Sequence, residues 1–294
     1  MDNFAAFILT HGRPERVKTY RTLRKHGYTG RIVIVVDDED AALDAYRANF
    51  GDQVVVFSKR EAAKNTPSME NFEEMRSVVY ARNASFKIAA RLGLSHFVQL
   101  DDDYQAFEYR FDAKHRYWAV AQGSLDRVFA SMVEALETMG ASTITMAQGG
   151  DFIGGKENSS AASPRLTRKA MNSFVCATAR PIQFIGVLND DVNTYVHHGT
   201  RGGLFFMTNQ VSLVQYKTQA APGGLSMLYE ETGTYVKSFY TVMLQPSSVW
   251  VQGMGATNIR LHHRTRWPHT VPMIIREEIR KERTDGRTKH KANA

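Results

Sequence analysis

Three consecutive aspartates follow a short apolar stretch in the segment HFVQLDDDY, residues 96–104. Adjacent like charges repel one another, so such a triplet is favoured where a positive charge neutralises it. Alternate residues of an extended segment face the same side, which lets Asp101 and Asp103 address one cation while Asp102 points elsewhere. Carboxylate oxygens suit Mg²⁺ and Mn²⁺, which also bridge the phosphates of nucleotides. The triplet therefore predicts a metal site, and a solvated acidic turn is the alternative.

Basic residues lie just before the triplet, in RSVVYARNASFKIAARLG. This stretch belongs to a helix predicted from about Met69 to Leu92, and it carries Arg76, Arg82 and Lys87. Arginine presents a fork of hydrogen-bond donors that matches phosphate oxygens. Arg76 and Arg82 are therefore candidates for binding phosphate, whereas a solvated helix face is the alternative for Arg76 and Lys87.

Two further pairs of aspartates lie at the ends of predicted elements. Asp37 and Asp38 end the strand RIVIVVDD, where a carboxylate could accept hydrogen bonds from a base or a ribose. Asp190 and Asp191 begin a predicted helix, where one of them could act as general base on an acceptor hydroxyl. Capping of the helix that follows is the alternative for both pairs.

The remaining candidates are histidines and a mixed aromatic and basic segment. His262 and His263, in IRLHHRTRW, could supply a late metal ligand, and a structural or solvated pair is the alternative. The segment AFEYRFDAKHRYWAV is predicted as a β-hairpin, and its rings and arginines suit bases and phosphates of DNA. Core packing is the alternative for several of the rings. The candidate DNA contacts are Tyr104, Tyr109, Arg110, Arg116, Tyr117 and Trp118, with Phe107 as a further stacking candidate.

The apolar pattern of the first third places the acidic residues at strand ends. Short strands alternate with amphipathic helices, which predicts a doubly wound α/β half whose ligands bind beyond the carboxyl ends of the strands. Thr10, His11 and Arg13 follow the first strand and therefore join the aspartates at that edge. The predicted strands of this half are FAAFILT, RIVIVVDD, QVVVFS and HFVQL.

The second half has a more mixed pattern. We predict a helix from Leu125 to Met139, and a mobile loop in the glycine- and serine-rich segment GGDFIGGKENSSAASPR. A further helix is predicted in LSMLYEETGTYVKSFYTVML, and the predicted strands are STITMAQ, MNSFVCATA, GLFFMTNQVSLVQY and, as the last one, SSVWVQ. We expect one catalytic domain over residues 1–278, with a nucleotide-binding half at 1–105, an acceptor-side half at 106–278 and a polar basic tail at 279–294.

Composition narrows the classes of function. The chain has 294 residues, a formal net charge of +7 and one cysteine. The positive charge favours polyanionic partners, and a single cysteine excludes a disulfide framework or a cysteine-based zinc site. We expect a cytoplasmic protein without a membrane partner, because neither a signal-peptide layout nor a long apolar run is present. The absence of a Walker loop, of GxSxG and of a strand followed by GxGxxG argues against P-loop, α/β-hydrolase and dinucleotide-binding proteins.

The ordered segments ILTHGRPERV, IVVDDED, ARNASFKIAARLGLSHFVQLDDD and LNDDVNTY resemble a GT-A glycosyltransferase, and more narrowly the TET-associated glycosyltransferases of phages. The resemblance implies an α/β fold with a Rossmann-type half that binds a nucleotide sugar, a mixed sheet and an acceptor-side C-terminal half. It also implies Mn²⁺ or Mg²⁺ on the diphosphate of a UDP-sugar. The implied reaction transfers a hexose or pentose to 5-hydroxymethylcytosine in duplex DNA.

The resemblance gives roles to individual positions. Thr10 and Arg13 match the nucleotide loop. Asp190 or Asp191 matches an acidic acceptor-side motif, which here reads Asn-Asp-Asp where many relatives have a glutamate before the aspartate. The candidate site residues are, for the nucleotide sugar, Thr10, Arg13, Asp37, Asp38, Arg76, Arg82, Asp101 and Asp102; for the metal, Asp101, Asp103, His262 and His263; and for catalysis, Asp190 and Asp191. The rival functions are a glycosyltransferase acting on a protein or glycan, a metal-dependent nucleotidyltransferase and a catalytically silent DNA-binding module.

Overall fold

The computed structural model describes residues 3–68, 75, 77–121, 123–215, 236–254 and 260–272. Within these ranges, no helix combines the length and the apolar character that crossing a membrane requires. Arg76 and the predicted tail at 279–294 lie outside the described residues, so the predictions made for them stay predictions.

The N-terminal half forms the parallel part of a ten-stranded sheet. Its strands are β1 (Phe4–Leu9), β2 (Arg31–Asp37), β3 (Val54–Phe57) and β4 (His96–Asp101), in the spatial order β3-β2-β1-β4. All neighbouring pairs among them are parallel. Every residue of β1 is buried, and alternate side chains enter the two cores on opposite faces of the sheet. Burial on both faces explains the continuous apolar runs and confirms the predicted doubly wound half.

Four helices cover the two faces of this parallel half. They are α1 (Lys18–Lys25), α2 (Leu43–Phe50), α3 (Lys59–Lys64) and α4 (Val79–Arg91). Side chains of α1 and α2 pack in one core, and those of α3 and α4 pack in the other.

The predicted start of the helix before the triplet is wrong in the described part of the chain. Met75, Ser77 and Val78 are not helical, and α4 begins at Val79. The hydroxyl of Ser77 donates to the carbonyl of Val187 at 2.9 Å, and it accepts from the backbone N–H of Val79 at 3.3 Å. A tertiary contact therefore holds the chain just before the helix, and a helical pattern in the sequence carries no sign of it.

The second half completes a mixed sheet, as predicted. Beyond β4 the order is β9-β7-β10-β5-β6, and β8 pairs with β10. The strand β9 is antiparallel to both β4 and β7, whereas β7 and β10 are parallel. The elements are β5 (Tyr104–Phe111), β6 (Tyr117–Ala121), α5 (Leu125–Met139), β7 (Thr143–Gln148), β8 (Leu166–Thr167), β9 (Phe174–Ala177), α6 (Asp190–Gly199) and β10 (Phe205–Gln215).

The glycine- and serine-rich segment after β7 is folded, and the predicted loop is wrong in this respect. It forms three short 3₁₀ turns, Gly149–Phe152, Gly155–Glu157 and Ser159–Ala161. The buried amide of Asn209 donates to the carbonyls of Ser160 and Ser163 at 2.8 and 2.9 Å. One side chain from β10 therefore anchors the segment, a contact that local composition does not reveal.

The C-terminal part contains a second, two-stranded sheet. Residues 236–244 are helical, and the first part of that predicted helix lies outside the described residues. The strand β11 (Val249–Met254) overlaps the predicted last strand at residues 249–252, but β12 (Arg260–Thr265) follows and pairs with it in antiparallel fashion. The predicted strand SSVWVQ is therefore not the last strand of the chain, and that prediction is wrong. Both candidate histidines lie on β12.

Candidate active site

The candidate residues of the first half meet at one edge of the sheet. The strands β2, β1 and β4 are adjacent and parallel, and Leu9 of β1 lies opposite Asp101 of β4. The carboxyl ends of all three strands therefore lie side by side. Thr10 and Asp37 stand at this edge next to the triplet.

Asp102 faces the protein interior. Its carboxylate accepts a hydrogen bond from the hydroxyl of Thr10 at 2.6 Å and pairs with Nη2 of Arg13 at 3.0 Å. The hydroxyl of Tyr46 lies 2.9 Å from that of Thr10 and accepts from the backbone N–H of Arg13 at 2.8 Å. Asp102 thus positions the loop after β1, and its side chain is only 2% exposed.

Asp103 carries a buried oxygen without a protein donor. Its Oδ1 atom makes no hydrogen bond to any residue that the structure describes. Burial, together with the negative charges of Asp101 and Asp102, raises the pKa of Asp103 to about 6. Burial also raises the pKa of Asp101, although the nearby Arg82 acts in the opposite direction. A buried carboxylate is costly unless it is paired or coordinates a metal, so a divalent cation at Asp103 would compensate its buried oxygen.

Arg82 connects the triplet to the second half of the chain. Its Nη2 lies 3.3 Å from Oδ1 of Asp101, and its Nε lies 2.8 Å from Oδ2 of Asp190. The guanidinium also lies over the rings of Phe174 and Phe184, 4.9 and 5.7 Å from their centroids. Because the side chain is only 3% exposed, its charge is compensated inside the protein, by two carboxylates from distant parts of the chain.

The two aspartates at the start of α6 have different surroundings. Asp190 is buried against Arg82, and burial raises its pKa despite the opposing charge of that arginine. Asp191 is partly exposed, and its Oδ1 accepts from the backbone N–H of Val192 at 2.7 Å. The catalytic role predicted for Asp190 is corrected to a positioning role, because Arg82 and burial enclose its carboxylate. Asp191 remains the candidate that an acceptor could reach.

The structure distinguishes the two histidines on β12. Nδ1 of His263 lies 3.5 Å from Nδ2 of Asn189, the residue immediately before α6. His262 stacks on His263 with ring centroids 4.5 Å apart. Burial, followed by the charges of His262 and Lys237, lowers the pKa of His263 to about 4. His263 is therefore neutral at neutral pH, which is the form that binds metals, and it lies beside the acidic start of α6.

A second polar cluster lies at the end of β2. Nδ1 of His11 is 2.6 Å from Oδ2 of Asp37, and Nζ of Lys59 is 3.3 Å from Oδ1 of the same carboxylate. Ligand atoms of His11, Asp37 and Asp40 lie within 4.8 Å of one another, as a metal site would require. Lys59 already supplies a positive charge, so we interpret the cluster as an internally compensated polar network rather than a metal site.

The side chain that supports the start of α2, the helix after Asp37 and Asp38, belongs to Asp40. Oδ1 of Asp38 accepts from the backbone N–H of Lys59 at 2.9 Å, at the start of α3. Asp40 is the residue that supports the beginning of α2, since its Oδ1 accepts from the backbone N–H of Ala42 at 2.8 Å.

Comparisons with known proteins give the family. A family model described as TET-associated glycosyltransferase matches residues 4–224, which is most of the chain. The chain belongs to the TET-associated glycosyltransferase family. No curated protein matches it.

Solved structures resemble the glycosyltransferase only distantly. The glucosyl-3-phosphoglycerate synthase of Mycobacterium tuberculosis shares 12% identity and a TM-score of 0.45, and the match covers 85% of each chain. The mannosyltransferase PcManGT of Pyrobaculum calidifontis, in complex with GDP-Man and Mn²⁺, shares 12% identity and a TM-score of 0.43, over 80% of this chain and 62% of the other. The family assignment does not depend on these distant matches.

Three predicted DNA contacts of the glycosyltransferase are internal. Tyr104 and Phe107 are fully buried. Arg110 is buried as well, where its Nε donates to the hydroxyl of Ser212 at 2.6 Å and its guanidinium lies over the ring of Phe152. Stacking or phosphate binding by these residues is therefore a wrong prediction, because their side chains pack within the protein.

The other predicted DNA contacts remain at the surface of the hairpin formed by β5 and β6. Trp118 is 61% exposed, and Arg116 is exposed and paired with Asp112 at 2.7 Å. Tyr109 is partly buried, and Tyr117 is partly buried and stacked on Phe152. Of the tyrosine, phenylalanine and tryptophan rings in this hairpin, Trp118 is thus the exposed one.

Four residues at this edge were not among the sequence candidates. Tyr46 and Lys59 lie within helices, where nothing in their spacing indicates a partner at a strand end. Asp151 and Lys169 form an ion pair of 2.6 Å, and both lie at the edge that carries the triplet. Lone acidic and basic residues in loops give no sequence signal, so these contacts require the fold.

The pair of His11 and Asp37 predicts a pH dependence of stability. The hydrogen bond to Asp37 raises the pKa of His11 above 6.5. The stabilisation is therefore complete below 6.5 and is lost as the pH rises through the raised value. When the pH is raised from about 6 to about 8.5, the free energy of unfolding should fall less in His11→Asn than in the unaltered protein. Urea unfolding at both pH values measures the difference, and equal losses in the two proteins would contradict it. Because the His11 side chain is 51% exposed, we expect less than about 1 kcal/mol.

Proposed function

We propose that this glycosyltransferase moves a sugar from a UDP-linked donor to the hydroxymethyl group of 5-hydroxymethylcytosine in duplex DNA. Mn²⁺ or Mg²⁺ on the donor diphosphate is part of the proposal. The observation that carries it is the buried Oδ1 of Asp103, which lacks a hydrogen-bond partner among the described residues and lies at the edge where a doubly wound sheet binds its ligands. Family membership supplies the reaction class, sugar transfer.

The donor side follows from the carboxylates and cations at this edge. Asp101 and Asp103 would hold the cation, and His263 is a candidate for a further ligand. The cation stabilises negative charge on the departing diphosphate. Arg13, fixed by Asp102 and 27% exposed, would face the phosphates. Asp37, held by His11 and Lys59, would face the nucleoside.

Asp191 is the proposed general base. Its carboxylate would take the proton of the acceptor hydroxyl as that oxygen attacks the anomeric carbon, while Asp190 and Arg82 hold the start of α6 in place. This role requires inversion at the anomeric carbon, so the anomeric configuration of the product tests it independently.

Asp191→Asn should therefore slow transfer by about 100-fold to 10,000-fold and leave the affinity for UDP unchanged. Transfer kinetics and UDP titrations measure the two quantities. Asp44→Asn is a matched control, because the side chain of Asp44 is 99% exposed. An unaltered transfer rate in Asp191→Asn would remove this residue from catalysis.

A DNA acceptor is supported by the charge and by the exposed hairpin. The net charge of +7 favours a polyanion, and Trp118, two residues after Arg116, presents an exposed ring on the edge strand β6. A modified base inside a duplex must leave the stack before its hydroxyl can react, and an exposed ring can occupy the gap. DNA as acceptor also agrees with the cytoplasmic location expected from the sequence.

Trp118→Ala should weaken binding to duplex DNA by about 5-fold to 150-fold, the usual effect of losing one stacked base. UDP release from the donor in the absence of DNA should stay unchanged. Binding titrations at two salt concentrations measure the effect, since phosphate contacts also make the affinity fall with salt. Val271→Ala, which truncates an exposed apolar side chain elsewhere, serves as control. Equal affinities in the two variants would argue against stacking by Trp118.

One experiment tests the proposed reaction as a whole. The protein is incubated with a panel of UDP-sugars, Mn²⁺ and duplex DNA containing 5-hydroxymethylcytosine, and the digested nucleosides are analysed by mass spectrometry. The proposal predicts that the mass of a hexose or pentose is added to the modified nucleoside. Metal-dependent release of UDP without a change in the DNA would reject the DNA acceptor and favour a protein or glycan. If no UDP-sugar in the panel releases UDP, the proposed donor class is wrong as well.

A further inference from the structure

An ion pair with no assigned role flanks the acceptor side of the site. Asp151 lies in the 3₁₀ turn after β7, and Lys169 lies in the segment that leads into β9. Nζ of Lys169 donates to Oδ1 of Asp151 at 2.6 Å. The strand β9 is antiparallel to both β4 and β7, so β4 and β7 end at the edge of the sheet where β9 begins. Asp151, after β7, and Lys169, before β9, therefore lie at the edge that carries the aspartate triplet.

Hydrogen bonds orient the two side chains but leave part of their hydrogen-bonding capacity available. Oδ2 of Asp151 accepts from the backbone N–H of Gln148 at 2.9 Å, so the turn and Lys169 fix the carboxylate from two directions. The side chains are 15% and 28% exposed, respectively. A carboxylate has about four acceptor sites and an ammonium has three donors, so each group can still bind a ligand. Groups oriented beforehand lose little freedom on binding.

Packing connects the segment of the ion pair to the helix that begins beside the proposed base. Burial raises the pKa of Tyr195 on α6, and the negative charges of Asp191 and Asp151 both add to that rise. Nη2 of Arg168, the residue before Lys169, donates to the carbonyl of Trp267 at 2.8 Å, and the ring of Trp267 stacks on that of Tyr195 with centroids 5.7 Å apart. Contacts through Arg168 and Trp267 therefore link the segment of Lys169 to α6, whose first turn carries Asp191.

We propose that Asp151 and Lys169 read the Watson–Crick edge of the acceptor base, an inference that rests on the proposed function. Cytosine presents an amino donor beside a ring-nitrogen acceptor and a carbonyl acceptor. Asp151 accepts from the amino group, and Lys169 donates to the neighbouring acceptor. Uracil has a carbonyl oxygen in place of the amino group, and that oxygen faces the Asp151 carboxylate without a proton between them. The pair thus selects 5-hydroxymethylcytosine over 5-hydroxymethyluracil.

The test compares two duplexes that differ only in the modified base. Transfer kinetics give kcat/KM for 5-hydroxymethylcytosine and 5-hydroxymethyluracil with the full chain, Asp151→Asn and Lys169→Met. The unaltered protein should prefer the cytosine duplex by about 100-fold or more, since sites built on hydrogen bonds reject analogues that lack them. Asp151→Asn should reduce this ratio by about 10-fold, because an amide can donate to the uracil carbonyl. Lys169→Met should lower kcat/KM with both duplexes, mainly through KM.

Two controls separate recognition from folding and from donor chemistry. Metal-dependent UDP release without DNA should be the same in all variants. Glu137→Gln breaks an ion pair with Arg180 outside the site and should leave the base preference unchanged. Lys169→Met supplies the readout if Asp151→Asn does not fold.

The outcomes distinguish the inference from the proposed function. An unaltered base preference in Asp151→Asn, together with an unaltered KM for DNA in Lys169→Met, overturns the inference, even if both variants have lower thermal stability. That result would mean that the pair only holds the turn after β7. If the unaltered protein releases UDP but modifies neither duplex, the proposed acceptor fails and the inference fails with it.

Discussion

Asp103→Asn is expected to lower metal-dependent sugar transfer by about 100-fold or more, because one of the two carboxylates proposed to hold the cation is lost. The loss should appear with Mn²⁺ and with Mg²⁺, and a higher metal concentration should restore part of the rate. Initial rates over a range of metal concentrations measure it. Asp44→Asn, the same chemical change at an exposed site, should leave the rate unaltered.

The same substitution should not destabilise the metal-free protein. Oδ1 of Asp103 is buried and makes no hydrogen bond to the described residues, so neutralising the side chain removes an unpaired charge. We expect the free energy of unfolding in a chelator to stay the same or to rise. A loss of activity accompanied by a large loss of stability would instead mean that Asp103 has a structural role.

Arg82→Met is expected to reduce the free energy of unfolding by about 3–5 kcal/mol, the usual cost of removing one partner from a buried ion pair. The substitution leaves Asp190 buried without its 2.8 Å partner and also removes the cation next to Asp101. Urea unfolding measures the loss. Transfer activity should fall as well, since Arg82 connects the start of α6 to the triplet.

A double variant distinguishes charge compensation from simple packing. Arg82→Met combined with Asp190→Leu replaces both charges with apolar side chains, and it should recover at least about half of the stability lost in Arg82→Met. If the double variant loses the sum of the two single losses, the two side chains do not stabilise one another and this interpretation of the pair is wrong.

The parallel half of the fold could be predicted because burial on both faces leaves a direct signature. The five residues 32–36 of β2 are all apolar because the sheet buries them on both faces, and the acidic end of the strand lies where it leaves the sheet. The same relation placed Thr10 and the triplet at one edge. Because connections between parallel strands are short and right-handed, only a few strand orders are then possible.

The hairpin shows where periodicity fails. A regular strand alternates its faces with a period of two, but Tyr104, Phe107 and Arg110, the buried residues of β5, lie three apart. The pairing of β5 with its neighbours shifts register, near Gln215 on β10 and between Tyr109 and Phe111 on β5 itself. Such irregularities change which residues face the core, so the sequence alone could not separate the buried rings from Trp118.

The sequence also could not show which residues contact one another when they lie far apart in the chain. The hydroxyl of Thr10 and the carboxylate of Asp102 lie 92 positions apart in the chain, and both belong to motifs that the sequence had marked without joining them. Asp190 was expected to act as a base, but its contact with Arg82 gives it a different role. Contacts of this kind depend on how the elements pack, and no local pattern encodes them.

Calorimetry of UDP binding with and without Mn²⁺ tests whether Asp101 and Asp103 hold a cation on the nucleotide diphosphate. Mn²⁺ should strengthen UDP binding in the unaltered protein and in Asp44→Asn, and this gain should disappear in Asp103→Asn. If Mn²⁺ leaves the affinity for UDP unchanged, or if Asp103→Asn keeps the full gain, then Asp101 and Asp103 do not hold a cation on a nucleotide diphosphate.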